Sequence, residues 1–557
     1  MKRRKILIAT AVSLLMWVCF LGCAKKEEVE KVGDDSTEVK EVLTTKEIAS
    51  EDVKEMVVAV NVDSSTKELP FSSVLLNRSQ FWGGLVFQGL LVASENINNV
   101  EMDLCEEYTI SPDGKTYVFI LKDDVYWHDG KKVTVDDVIF SIETCLLTQE
   151  VNGYLKKGIE EIGGAKLFEN GETESVLGIN VEGNSITIKI SKQDNRFLGI
   201  MAQLPILPKH CLEDVPIEKL STSDFWKMPI GSGPYKVIEN RDNKEAILTI
   251  NHRYSGKKPK IEQIRYKVLE NPETDYFDFA ITSNPEVIKK YQGMRDYETV
   301  KTGNLYYRYL YFNLDGRQGE NEGILQSKRV RQALAMAIDR NKIAKEIYKG
   351  AATVIDGGIP RNDGWYVQGN SLEMSYDSEA AKEMLKEEGF DFSKTLVLTR
   401  YNHDEISVKL LQAIADDWAK IGVKTEIIEI GTNDTNKLWV DAQWYDVGLK
   451  NLSAVDYSEW YYEYSSENQM WSVVLNNRPV FNVLIKALDE TKWAYERKML
   501  SREIQQMEKE QVFKIPLLII PQYVIYNSDN LYIPEMEFPN FYYYYDLNMS
   551  QWELIGE

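Results

Sequence analysis

Few of the side chains from which enzymes build reactive centres occur here in reactive spacings. The four histidines, His128, His210, His252 and His403, are isolated from one another, and none forms an HExxH pair that would aim two imidazoles at one metal. Gly231-Ser232-Gly233 is not a G-x-S-x-G elbow, and Pro234 follows where a phosphate-cradling helix would have to begin. No Walker A lysine motif is present, so the sequence offers no P-loop for a nucleotide. The 87 Asp and Glu make acidic clusters frequent by chance, and scattered carboxylates point to no particular metal site. The sequence therefore predicts no catalysis, no cofactor and no metal, and a function in binding has to be sought in the elements and their arrangement.

Composition bounds those elements. A chain of 557 residues that is 43% hydrophobic and 27% charged can bury a large core, and its length fits two large lobes or three to four ordinary domains. A formal charge of −22 and a pI near 4.9 repel phosphate backbones, which excludes general nucleic-acid binding. Five cysteines cannot staple so long a chain.

The amino terminus reads as an address. Lys2, Arg3, Arg4 and Lys5 precede an uncharged, mostly apolar run from Ile6 to Leu21. At about 1.5 Å per residue that run spans roughly 24 Å, short of a hydrocarbon core of ~30 Å. A basic head and a short apolar stretch ending in a small residue make a secretory signal. Phe20-Leu21-Gly22-Cys23 resembles the bacterial lipobox, with Phe20 where Leu is usual, which implies cleavage after Gly22 and a lipid-bearing Cys23. Removing residues 1–22 takes away four positive charges and no acids, moving the charge from −22 to −26. Residues 24–55 carry dense mixed charge and no aromatic residue, so they are expected to form a disordered acidic tether. Cys19 leaves with the signal. Cys105, Cys145 and Cys211 remain, an odd number without CxxC or His–Cys ligand spacing, and core packing is the simplest role for them.

Beyond residue 55 strands and helices alternate. MVVAVNV (56–62) predicts a buried strand, and SITIKI (185–190) and AILTIN (246–251) predict half-buried ones from their period of two. Asp113-Gly114 and Asp129-Gly130 are tight-turn signals around a strand from Tyr117 to Leu121, and Thr134 or Asp136 caps the helix that follows. Asp377 is an N-cap for a helix ending at the C′ glycine Gly389. Leu411, Ile414, Ala415, Trp418 and Ile421 share one helix face, Gly422 ends that helix, and VKTEIIEI follows as a strand. This αβ unit predicts an α/β fold with mixed sheets. No internal repeat of 20 to 50 residues is apparent.

Five segments in order resemble the family 5 extracellular solute-binding proteins, the oligopeptide- and dipeptide-binding components of ABC importers. Ser111–Glu143 is similar to the family's strand, W-x-D-G turn and T-x-x-D-V-x-F-S helix start. Pro229–Tyr235 resembles P-x-G-T-G-P-Y, and Asn251–Lys260 resembles N-x-x-Y-W-G-K-P-K. Phe312-Asn313 with Lys328–Arg340 resembles F-N and V-R-Q-A-L-x-x-A-I-D-R, and Tyr376–Gly389 resembles Y-D-x-x-K-A-x-x-L-L-x-x-x-G. Asp103–Tyr108 departs from the pattern P-x-L-A-x-S-W. The resemblance implies a two-lobed, type II (cluster C-like) periplasmic-binding-protein fold with a hinge of crossing strands. Lobe one would take residues 56–305 and 520–557, and lobe two residues 306–519. It further implies a monomer on the outer face of the cytoplasmic membrane that closes on a peptide and docks on an ABC permease with its ATPase subunits. A metal chelate, haem, a sugar or a signalling peptide sensed without import are the alternative ligands.

Within that resemblance, Ser453–Glu459 is similar to the segment whose Asp pairs with a peptide's α-amino group, which points to Asp456. A cationic amine removed from water needs an opposite charge within hydrogen-bond reach. The plainer role for Asp456 is capping a turn beside the aromatic run WYYEY, and Ser453 stands where the family often has Trp. Tyr457, Trp444 and Trp460 are the accompanying candidates for ligand contact, with Trp439, Tyr461 and Tyr462 nearby, although such aromatics more often fill core. The stripe Phe541–Tyr545 is expected to pack on a sheet.

Overall fold

The computed structural model describes residues 54–556 apart from 63–66, 70, 76–81, 94–98, 149–150, 152, 304, 318–320, 322, 362, 368–374, 432–436, 438–443, 455–456, 466–478, 492–493 and 535–548. Among them, three larger sheets and the helices packed on them form a mixed α/β, two-lobed architecture. The first sheet orders seven strands as Tyr297–Lys301, Tyr523–Asn527, Phe279–Thr282, Glu55–Ala59, Gln263–Lys267, Glu245–Ile250 and Tyr235–Arg241. A four-stranded sheet, Cys105–Ile110, Thr116–Leu121, Ser185–Lys189 and Ile179–Glu182, has its own core. The third orders six strands as Thr353–Val354, Lys514–Ile519, Leu305–Phe312, Val447–Ala454, Thr395–Arg400 and Lys424–Glu429.

The chain passes from the seven-stranded to the six-stranded sheet between Lys301 and Leu305, and returns between Ile519 and Tyr523. The two crossings are tied together. The Thr302 amide (2.9 Å) and hydroxyl (3.1 Å) both donate to the Gln522 carbonyl, and the Ile520 amide donates to Tyr306 at 2.8 Å. The sheets are thus joined by two short crossings that are themselves tied by hydrogen bonds.

Local chemistry accounts for most elements. The Asp377 carboxylate accepts the Ala380 amide at 2.9 Å, and Gly389 takes φ +68° after the helix Ser378–Glu387. The helix Glu405–Lys420 buries Leu410, Leu411, Ile414, Ala415 and Trp418, and the strand after it runs parallel to Thr395–Arg400, completing the αβ unit. Thr134, not Asp136, caps Val135–Leu147, its amide donating to the Asp137 carboxylate at 2.9 Å. Ile186 and Ile188 alternate with outward residues as their period demands. The strand Glu245–Ile250 instead buries Ala246, Ile247 and Leu248 in succession, because it lies inside the seven-stranded sheet with both faces covered. The first strand starts one residue early, at Glu55, and ends at Ala59.

The Pro229–Tyr235 turn shows why its glycines are needed. A Cβ on Gly231 would sit 1.9 Å from the Val86 carbonyl oxygen. The half-buried ring of His128 braces the same turn: its Nδ1 accepts the Gly231 amide at 3.1 Å, which leaves the proton on Nε2 facing the Gly233 carbonyl at 3.3 Å. Burial pushes this imidazole down to about 4. No helix among the described residues is long and apolar enough to cross a membrane.

Candidate functional site

A cavity of about 610 Å³ opens between the four-stranded subdomain and helices belonging to the six-stranded sheet. One wall comes from the helix Gly153–Glu160 and the segment leading into Phe197–Gln203, with Lys157, Glu161, Lys192, Asp194 and Arg196. The other comes from the helices Tyr457–Tyr462 and Pro479–Glu490 and the residues after the first, with Glu459, Tyr462, Glu463, Asn482 and Lys486. Contacts span the gap. Lys157 Nζ lies 3.3 Å from the centre of the Tyr462 ring, and Asn195 Nδ2 donates to the Thr491 carbonyl at 2.7 Å.

Charges of both signs face the cavity in pairs. Arg196 grips Asp194 with Nε and Nη2, each at 3.0 Å. Burial raises the Asp194 carboxyl, but Arg196 outweighs it and holds the group below the usual carboxylate range. Lys192 pairs with Glu161 at 3.0 Å, while Lys486 and Glu490 stand 3.9 Å apart.

Under the second wall lies a buried charge network. Glu463 accepts from Lys514 at 2.9 Å, from Lys450 and from the Tyr309 hydroxyl. Burial alone would raise its carboxyl; Lys450 and Lys514 overcome that and bring it down to about 2. Lys514 also donates to the Trp460 carbonyl at 2.9 Å and sits 4.2 Å from the centre of the Trp460 ring and 4.3 Å from that of Tyr464. Glu508 accepts from Trp460 Nε1 at 2.7 Å and from the Tyr464 hydroxyl at 2.5 Å. Burial wins there and raises its carboxyl above the usual range, as it lowers the Lys514 ammonium below its own. The network fixes the floor on which Glu463 meets the cavity.

The residues singled out from sequence fall in different places. Trp460 is buried against Tyr307 and Tyr309, its indole committed to Glu508. Tyr457 is half-buried and donates to Asp363. Trp444 is 52% exposed. None of the three is in the wall of this cavity, whereas Tyr462 is. Asp456, Trp439, Cys23 and the stripe Phe541–Tyr545 lie outside the described residues. Sequence reading missed Lys157, Lys192, Arg196, Glu459, Glu463 and Lys486. Only the acids interleaved with the aromatics at 459 and 463 left a local signal.

Known proteins share the sequence pattern and the fold of this chain. The profile of the bacterial extracellular solute-binding proteins, family 5 Middle, matches residues 99–471. The dipeptide-binding protein of Escherichia coli is 28% identical over 353 residues, covering 58% of this chain and 62% of that protein. The chain thus spans under two thirds of the length of such relatives. Among solved structures, the oligopeptide-binding protein AppA of Bacillus subtilis with a nonapeptide superposes with a TM-score of 0.69 at 20% identity, over 90% of this chain and 99% of that one. NikZ of Campylobacter jejuni with Ni(L-His) gives a TM-score of 0.67 at 22% identity, over 90% and 99%. At these identities the superpositions speak to the fold alone.

Proposed function

Since the chain belongs to the family 5 bacterial extracellular solute-binding proteins, we propose that it captures peptides between its lobes and hands them to an ABC permease. The observation that carries the reading is the cavity of about 610 Å³, walled from both sides of the paired crossings by cations and anions together. Its volume lies in the range of ordinary small-ligand sites, roughly 300–1,000 Å³. A peptide brings one cationic end, one anionic end and a row of amides, which suits walls of mixed charge better than a purely apolar or singly charged solute would.

In this reading a guest touching both walls favours the closed arrangement, so closure is driven by its contacts. Asp456 is the candidate partner of the α-amino group and Tyr457, next to it in the chain, the accompanying contact, while Trp460 serves as core packed on Glu508 and Trp444 stands outside the cavity. Cys23 carries the lipid, residues 24–55 act as the tether, and the protein works as a monomer outside the cytoplasmic membrane. The permease and its ATPase subunits supply the energy, and the peptide leaves unaltered, as fits a family of binding proteins.

Native mass spectrometry tests this. The purified protein is mixed with a random pool of short peptides, Ni(L-His) and haem. A one-to-one complex with intact peptides supports the reading. Exclusive capture of the chelate or of haem replaces the ligand class, and cleaved peptides replace binding with hydrolysis.

A further inference from the structure

We propose that Asp129, His210 and Cys211 form a binding site for a divalent transition-metal ion of the zinc class, on the first lobe and outside the interlobe cavity. One carboxylate oxygen, one imidazole nitrogen and the thiol sulfur of these residues lie within 4.8 Å of one another. Sequence reading passed over them because 81 positions separate Asp129 from His210, and because two adjacent ligands on one short helix match no familiar spacing.

Each ligand is held by its own surroundings. Asp129 sits in a turn closed by the Trp127 amide on Lys131 and the Gly130 amide on Trp127, both 2.8 Å, with Gly130 at φ +88°. The Lys131 amide takes one carboxylate oxygen at 3.1 Å, leaving Oδ2 to face His210 Nε2 at 2.8 Å. His210 and Cys211 lie on Lys209–Leu212, anchored where the Lys209 amide donates to the buried Asp137 carboxylate at 3.0 Å. The buried Trp127 ring forms one side, 6.3 Å from the His210 ring centre. Asp129 is exposed and the other two half-buried, so an ion can enter from solvent.

Carboxylate, imidazole and thiolate together are donors that zinc and its neighbours accept, whereas magnesium and calcium prefer oxygen alone. On a tetrahedral ion with bonds of roughly 2.0–2.3 Å, ligand atoms stand about 3.3–3.8 Å apart. The present spacing reaches that by side-chain rotation of the order of 1 Å. The ion takes the place of the proton between Asp129 and His210, the neutral imidazole then carrying its proton on Nδ1, and the thiol proton passes to solvent, with water completing four ligands.

Cobalt(II) added to the metal-free full-length protein reads the site directly. The expected result is a saturable one-to-one thiolate-to-cobalt charge-transfer band, lost in Cys211→Ser, with zinc displacing cobalt. Asp129→Asn is expected to bind at least about tenfold more weakly. A cobalt ion in the interlobe cavity would give no such band, since none of the described residues lining that cavity is a cysteine. Absence of the band in wild type, or its persistence in Cys211→Ser with unchanged circular dichroism, overturns the assignment.

Discussion

Glu463→Gln exchanges a buried carboxylate for a neutral group of the same shape, and the fold should lose about 3 kcal/mol at pH 7. The carboxyl is held near 2 against its ordinary 4.5 by Lys450 and Lys514. At about 1.4 kcal/mol per decade of proton affinity, that preference for the charged form is worth about 3 kcal/mol. The same figure falls within the roughly 3–5 kcal/mol seen when one partner of a buried pair is removed. The sign fixes the pH dependence. A depressed carboxyl stabilises the fold fully above the unfolded value of 4.5, and that increment is lost as pH falls through about 2. Urea unfolding of wild type and variant should therefore differ by about 3 kcal/mol at pH 7, and by less than half of that at pH 3. Lys514→Met in the same background should be non-additive, because Lys514 then no longer faces Glu463. A gap under about 1 kcal/mol at pH 7, or one unchanged between pH 7 and pH 3, would refute the reasoning.

Other perturbations follow from the geometry. Gly231→Ala forces a Cβ against the Val86 carbonyl and should cost about 1–3 kcal/mol or more in thermal or urea unfolding; a neutral change would mean the turn can move aside. Lys157→Ala removes the contact with Tyr462 across the cavity, worth about 1 kcal/mol. It should enlarge the ligand-free particle in small-angle X-ray scattering and weaken peptide binding roughly fivefold, while unchanged values would remove this latch from the account. Asp456→Ala should cost about 2–5 kcal/mol of calorimetric affinity for peptides with a free amino end; equal affinities would dismiss the assignment of that residue.

How much of this was legible in the sequence depended on whether the cause was local. The Asp377 cap, Gly389 and the unit of helix and strand around Gly422 are set by residues within a few positions of one another, and their period revealed them. The strand 245–250 misled because burial on both faces erases a period of two, and that burial comes from distant parts of the chain. The cavity is harder still. Lys157 and Tyr462, or Asn195 and Thr491, meet only after two lobes are placed, so nothing near either residue announces the pairing. Glu463 sits in an aromatic run that reads equally well as core, and its role follows from Lys450 and Lys514 on separate strands.

The central claim, a guest enclosed between two hinged halves, is tested most directly by fastening those halves together. Lys157→Cys and Tyr462→Cys, in a Cys211→Ser background, place thiols on opposite walls for a short bis-maleimide. Linked empty, the protein should no longer take up peptide; linked after loading, it should keep its peptide through extensive dilution. Uptake and release at the unlinked rates in both states would mean that the ligand binds elsewhere and that the cavity is not its site.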